Sequence, residues 1–228
     1  MKICVIIPAH NESLKIGEIV SQMKRKKLSV VVIDDGSNDN SGAIASQNGA
    51  FVIPHKEKQG KGVSLCDGFN FAVKNDFNGV ITMDGDGQHS VSDIDVLLEV
   101  AFKHQPCLVT GNRMNNTKDM PWMRWLANRV TSYIISSICR QNIPDTQCGF
   151  RFVSIDILKC INLKSSDFEI ESEVLIEASK KGFKIYSVPI QTIYRDESSK
   201  INPLVDTIRF FVYVIKESLS SKSSKTKR

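Results

Sequence analysis

Asp84 and Asp86, spaced by glycines and followed by Gln88 and His89, are the residues of this chain best placed to do chemistry. They close a short β-branched run, Val80-Ile81-Thr82-Met83, that reads as a buried strand. The C-terminal end of such a strand is where ligands gather in open α/β sheets. Gly85 and Gly87 let the backbone bend as it leaves the strand, so both carboxylates and the Gln88 amide oxygen can face one point. A hard-oxygen set of this kind suits Mg²⁺ or Mn²⁺ that also holds a diphosphate, because Mg²⁺ seldom sits in an all-protein cage. A solvated Asp-Gly turn is the competing reading. His89 reads as a residue that orients the loop before it reads as a ligand.

The elements that must position these residues follow from hydrophobic periodicity. Ile3–Ile7, Val30–Ile33, Phe51–Ile53, Val80–Met83 and Leu108–Thr110 read as strands, and Ser13–Lys26, Asn38–Asn48, Gly62–Lys74 and Val91–His104 as the helices between them. Such alternation predicts an α/β fold with a mostly parallel sheet flanked by helices, its strand ends gathered along one edge. Three further loops then join the Asp84–His89 cluster: Pro8-Ala9-His10-Asn11-Glu12, Asp34-Asp35-Gly36-Ser37 and Gln59-Gly60-Lys61-Gly62. A nucleotide could lie across them, with Glu12 and Asp35 on base or ribose and Lys61 near phosphate. A helix-capping turn and a flexible loop are the plainer readings of the last two.

The second half is less regular. Trp122–Arg140 reads as a long helix, Phe150–Val153 as a strand, Ser154–Ile161 and Glu171–Lys181 as helices, and Lys184–Val188 as a strand. Trp122 and Trp125 are expected in the core, and Glu169, Glu171, Glu173 and Glu177 on a solvated face. Asn202-Pro203 is a sound helix start. The helix it opens, Leu204 to about Ser218, carries Phe210-Phe211-Val212-Tyr213-Val214-Ile215 and needs burial in protein or lipid. The expected organisation is one domain over residues 1–218, with a nucleotide-binding half (1–111) and a second half (112–218). A disordered basic tail follows at 219–228.

Composition excludes little: of 228 residues, 41% are hydrophobic and 24% charged, with a net charge of +5. No nucleic-acid module accompanies that charge, so nucleic acid is not expected as a partner. Six cysteines form no C-x-x-C pair or zinc spacing, which points to a reducing compartment. Without a run of about 18 apolar residues, the expected location is cytoplasmic, peripheral on the cytosolic face of a membrane. The apolar final helix and basic tail would supply two weak anchoring signals, and a membrane-protein partner or homo-oligomer is the alternative.

Taken jointly, the four loops resemble family 2 glycosyltransferases, whose fold is GT-A. Gly111-Asn112-Arg113, Asp145-Thr146-Gln147-Cys148-Gly149-Phe150-Arg151 and Ser199-Lys200-Ile201-Asn202 are similar to the dolichol-phosphate mannose synthase-like, or polyprenyl-phosphate glycosyltransferase, subgroup. The resemblance covers about residues 2 to 215. It implies that Pro8, His10, Glu12, Ile33 and Asp35 line the donor pocket, that Asp84, Asp86 and Gln88 hold or frame the metal, and that Arg113 reaches a phosphate. Arg195 and Lys200 match basic residues near the donor phosphates, the former one residue out of step. His10 stands where tyrosine is common.

The implied reaction is inverting transfer of a sugar from a UDP- or GDP-linked donor to a polyprenyl phosphate, of the dolichyl or undecaprenyl type. A lipid phosphate is already ionised near neutral pH and needs no strong base, whereas a hydroxyl acceptor does. The Glu-Asp pair common in hydroxyl-directed members is absent here, which leaves Asp145 as the fallback base in the rival reading. Arg124 and Arg129, with Arg113, could hold the acceptor phosphate. A sugar-1-phosphate nucleotidyltransferase is disfavoured by His10-Asn11-Glu12 after the first strand. A catalytically idle nucleotide-sugar-binding protein is disfavoured by the complete Asp84/Asp86/Gln88 set.

Overall fold

A computed structural model describes residues 1–191 except 116, 118, 119, 166 and 168. The expectations for Arg195, Lys200, the helix from Leu204 and the basic tail lie outside the described residues.

β1 (Ile3–Ala9), β2 (Ser29–Asp34), β3 (Phe51–Pro54), β4 (Gly79–Thr82), β5 (Cys107–Asn112), β6 (Arg151–Ser154) and β7 (Lys184–Pro189) form one sheet in the order β3-β2-β1-β4-β6-β5-β7. β6 runs antiparallel to both β4 and β5, and the other pairings are parallel. Each strand's alternation is divided between two cores. Val5, Ile7, Val30 and Val32 face one side, under α1 (Ile16–Arg25), α2 (Ser41–Gln47) and α4 (Asp93–His104). Cys4, Ile6, Val31 and Ile33 face the other, under α3 (Lys61–Lys74), α5 (Trp122–Cys139), α6 (Ile155–Cys160) and α7 (Ile170–Lys180). Burial on both faces is why these strands read as continuous apolar runs.

The elements match the expected ones to within a few residues, and two differences bear on the site. α1 begins at Ile16 rather than Ser13, because residues 12–15 form a turn in which the Glu12 carbonyl accepts the Lys15 and Ile16 amides. The second is the reversal of β6. Inserted between β4 and β5, it carries Gly149 and Arg151 directly beside the end of β4, where Arg151 pairs with Thr82.

Candidate active site

Asp84 and Asp86 leave β4 at the centre of the sheet edge. The Lys61 ammonium, at the first turn of α3, lies 2.6 Å from Asp84 Oδ1 and 2.6 Å from Glu171 Oε1 at the start of α7. His89 stacks on Phe150 and brings Nε2 to 3.5 Å from Asp84 Oδ2, while its buried Nδ1 has no hydrogen-bond partner among the described residues. Burial disfavours charge on Asp84, but Lys61 and His89 hold it well below the usual carboxylate range. Asp84 and Glu171 likewise hold Lys61 above its own range, against the effect of burial. Asp86 behaves oppositely. Burial and the neighbouring Asp84 raise it, although its Oδ1 accepts the Gln88 amide at 2.9 Å.

Two glycines permit close approaches, one inside this cluster and one in the loop behind it. A Cβ on Gly149 would lie 2.9 Å from both Asp84 Oδ2 and Glu171 Oε1. Gly36, with φ +63°, passes so close to the Glu57–Lys58 backbone that a Cβ would sit 2.5 Å from it.

The Asp34-Asp35 pair divides its work. Asp34 Oδ1 accepts the Ser37 amide at 3.2 Å, the turn expected of such a sequence. Asp35 reaches across to the loop before α3, accepting the amides of Gln59 (2.7 Å) and Gly60 (3.0 Å) and the His55 ring at 2.8 Å. Those bonds outweigh burial and lower its acidity range, and His55, which also meets Asp67 at 3.0 Å, is raised despite its own burial. Asp35 thus fixes the backbone just before Lys61. His10 is tied to the Asp35 carbonyl at 2.8 Å, and the Glu12 side chain lies over Gly85. Pro8 borders the pocket together with Lys61, Asp84, Gly149 and Glu171. Ile33 differs from the expectation: its side chain is wholly inside the α3-side core, so only its main chain can face a ligand.

On the acceptor side Arg113 forks onto Asp145, with Nε at 2.7 Å from Oδ2 and Nη2 at 2.9 Å from Oδ1. Asp145 also accepts the amides of Arg113 and Gln147 and the Asn128 side chain, and it is fully buried. Five hydrogen bonds saturate the roughly four lone-pair positions of a carboxylate. Against burial, Arg113 holds it below the usual range. Arg151, also buried, donates to the carbonyls of Thr146, Cys148 and Glu171, stitching this loop to α7.

The helix-face reading of the glutamates is corrected for two of them. Glu173 is buried and accepts the amides of Lys164 and Ser165, and Glu171 enters the pocket. Glu171 and Arg151 were missed as site residues, because only the reversal of β6 and the seat of α7 bring them there. Trp122 and Trp125 are exposed, at 71% and 40%, not in the core. Arg124 is half-buried, and Arg129 is exposed with its guanidinium 5.8 Å from the Trp125 ring.

A divalent cation fits the β4 end. Burial and then the neighbouring Asp84 carboxylate disfavour the Asp86 anion, and a cation bound there would offset both. Among the described residues no group of three or more His, Cys, Asp or Glu side chains could form a metal cage, so the ligand itself must complete such a site.

A central strand ending in paired carboxylates, within a mostly parallel sheet of this order, defines a GT-A-like nucleotide-sugar transferase architecture. The chain matches the model of Glycosyl transferase family 2 over residues 4–161; it belongs to that family and is a glycosyltransferase. It is 34% identical over 203 residues to the uncharacterized protein MJ1222 of Methanocaldococcus jannaschii, spanning 86% of this chain and 84% of that one. It is 29% identical over 219 residues to the UDP-N-acetylglucosamine–dolichyl-phosphate N-acetylglucosaminyltransferase of Methanococcus voltae, spanning 86% and 87%. Its fold is similar to that of glucosyl-3-phosphoglycerate synthase from Mycobacterium tuberculosis in complex with Mn²⁺, UDP and glucosyl-3-phosphoglycerate. The TM-score is 0.69 at 18% identity, over 96% of this chain and 79% of that one.

Proposed function

We propose that this glycosyltransferase moves a sugar, with inversion, from a UDP- or GDP-linked donor to a polyprenyl phosphate presented at the cytosolic face of a membrane. The observation that carries the acceptor class is the state of Asp145. The carboxylate best matched to a base by sequence is buried, saturated and paired with Arg113. A phosphate oxygen needs no base. The Methanococcus voltae relative, named for dolichyl phosphate, supports the same class.

Asp84 and Asp86, with Gln88 beside them, would hold Mg²⁺ or Mn²⁺. When bound, the ion acts as a Lewis acid that offsets the charge of the departing diphosphate. Pro8, His10, Glu12 and Asp35 form the donor side, and Asp35 keeps the Gln59–Gly60 backbone in place so that Lys61 reaches Asp84. Arg113, held by Asp145, presents a guanidinium of fixed orientation toward phosphate, and Arg124 and Arg129 add positive charge on α5. The acceptor oxygen forms the new bond at the anomeric carbon as the bond to the diphosphate breaks on the opposite side.

The test offers a short-chain polyprenyl phosphate and the matching polyprenol, each with a panel of UDP- and GDP-sugars. Turnover of the phosphate alone is expected. Turnover of the polyprenol, abolished by Glu171→Gln, would replace this reading with a hydroxyl acceptor served by Glu171.

A further inference from the structure

We propose that the outer face of α5 is a docking surface for an anionic lipid bilayer. The helix is inside-out over its first three turns. Asn128, Thr131 and Ser132 point inward and are buried, whereas Trp122, Met123, Trp125, Leu126, Val130 and Tyr133 point outward and are exposed by 40–76%. At 100° per residue the outward six fall on one side of the helix. A soluble helix places its apolar stripe on the core, so the inversion marks a face built for a second apolar phase.

Three observations select lipid as that phase. The face is rich in Trp and Tyr, whose apolar bodies and polar tips suit the headgroup boundary. Arg129 lies on that side of the helix, 5.8 Å from the Trp125 ring, and the helix has no acidic residue, which complements an anionic surface. Its inner face also leads to the acceptor machinery, since Asn128 donates to Asp145 at 2.8 Å and Asp145 holds Arg113. Docking through the outer face would set Arg113 one helix width from the headgroups. The reason for docking rests on the proposed lipid-phosphate acceptor; the binding itself does not.

The chain's two tryptophans, Trp122 and Trp125, both lie on this face, so selectively excited tryptophan fluorescence reports on it alone. The full chain is titrated with vesicles of phosphatidylcholine alone, of phosphatidylcholine with phosphatidylglycerol, and of the mixed composition with brominated acyl chains. A blue shift on the anionic vesicles, and quenching by the brominated ones, is expected. Leu126→Gln/Tyr133→Gln, a pair of exposed sites, should weaken vesicle binding about tenfold while leaving the melting temperature unchanged. The same variant should keep its turnover of a water-soluble short-chain polyprenyl phosphate and lose it for a long-chain acceptor in vesicles. Emission indifferent to vesicles overturns the proposal. So does a shift that grows with protein concentration without lipid, which would assign the face to a second copy, and so does a blue-shifted emission already present in dilute lipid-free protein, which would assign it to the chain's own C-terminal segment. Vesicle binding with no turnover of any polyprenyl phosphate keeps the docking surface and removes the acceptor assignment instead.

Discussion

The Asp84–Lys61–Glu171 cluster and the Arg113–Asp145 pair both bury charge behind the same sheet edge, yet their hydrogen bonding is opposite in kind. In the second, one carboxylate is saturated by five donors and its acidity range is lowered. In the first, stabilising Asp84 leaves Asp86 raised. A saturated carboxylate fixes geometry, whereas one disfavoured as an anion is the one that the proposed cation would relieve. Sequence motifs do not make that distinction, because Asp86 and Asp145 both belong to recognisable motifs and only their partners separate them.

Removing each carboxylate tests the contrast. Asp86→Asn should lower turnover by about a thousandfold, in the range of losing the principal electrostatic stabiliser of a leaving group. It should leave the melting temperature level or slightly raised, since it relieves the repulsion with Asp84. Chelation should mimic it and added Mg²⁺ or Mn²⁺ should restore the wild-type chain only. Full activity in chelator would remove the metal from the β4 end. Asp145→Asn should act in reverse order, by stability first. Breaking a buried pair strands the other charge and costs about 3–5 kcal/mol, read from urea midpoints. Activity should fall with it, through a displaced Arg113. An Asp145→Asn chain of undiminished stability would mean that Arg113 is not held as described.

Glu173 extends the comparison to a third acidic residue that the helix pattern hid. It accepts the amides of Lys164 and Ser165, neither of which borders the pocket. Glu173→Ala should therefore cost about 2 kcal/mol, the desolvation of buried donors left unpaired, with donor KM unchanged. Glu171→Ala, two residues away, should raise donor KM with little change in urea midpoint. If the two swap signatures, the seat of α7 against the pocket is wrong.

Much of the fold was legible because its signal is local. β-branched runs and helical spacing locate the strands and helices, and the strand-end rule gathers Pro8–Glu12, Asp34–Ser37, Gln59–Gly62 and Asp84–His89. What stayed hidden is what depends on distant pairing. The direction of β6 is set by its neighbours rather than by Phe150–Val153 themselves. Glu171 and Glu173 look like neighbours on a wet helix until α7 is seated. Trp122 and Trp125 read as core because an apolar side chain usually is; here Asn128 and Ser132 take inward positions to serve Asp145 and Thr146, and the buried Thr131 hydroxyl donates to the helix's own carbonyls at Ala127 and Asn128. Ile33 is the converse, a residue carried into the pocket by motif while its side chain fills the core.

His55 offers the smallest effect and tests whether the Asp35 latch belongs with the fixed cluster or the exchanging one. Both ring nitrogens meet carboxylates, Asp35 at 2.8 Å and Asp67 at 3.0 Å, which raises the imidazole above its ordinary value of 6.5. A group raised on folding contributes stability in full below that ordinary value, and loses the contribution as pH climbs through the raised folded value. Asp35, lowered, keeps its own contribution over this whole range and yields it only in acid. The melting temperature of the wild type should therefore exceed that of His55→Gln by the equivalent of about 1 kcal/mol near pH 6, discounted from a stronger pair because Asp67 is half open to solvent. The gap should narrow as pH rises above the imidazole's ordinary value. Because Asp35 holds Gln59 and Gly60 immediately before Lys61, donor KM should rise over the same pH interval in the wild type and be flat in the variant. A stability gap that closes with pH while KM stays constant would place the latch with Asp145, as a fixed strut. A parallel movement of the two would make it part of the donor site.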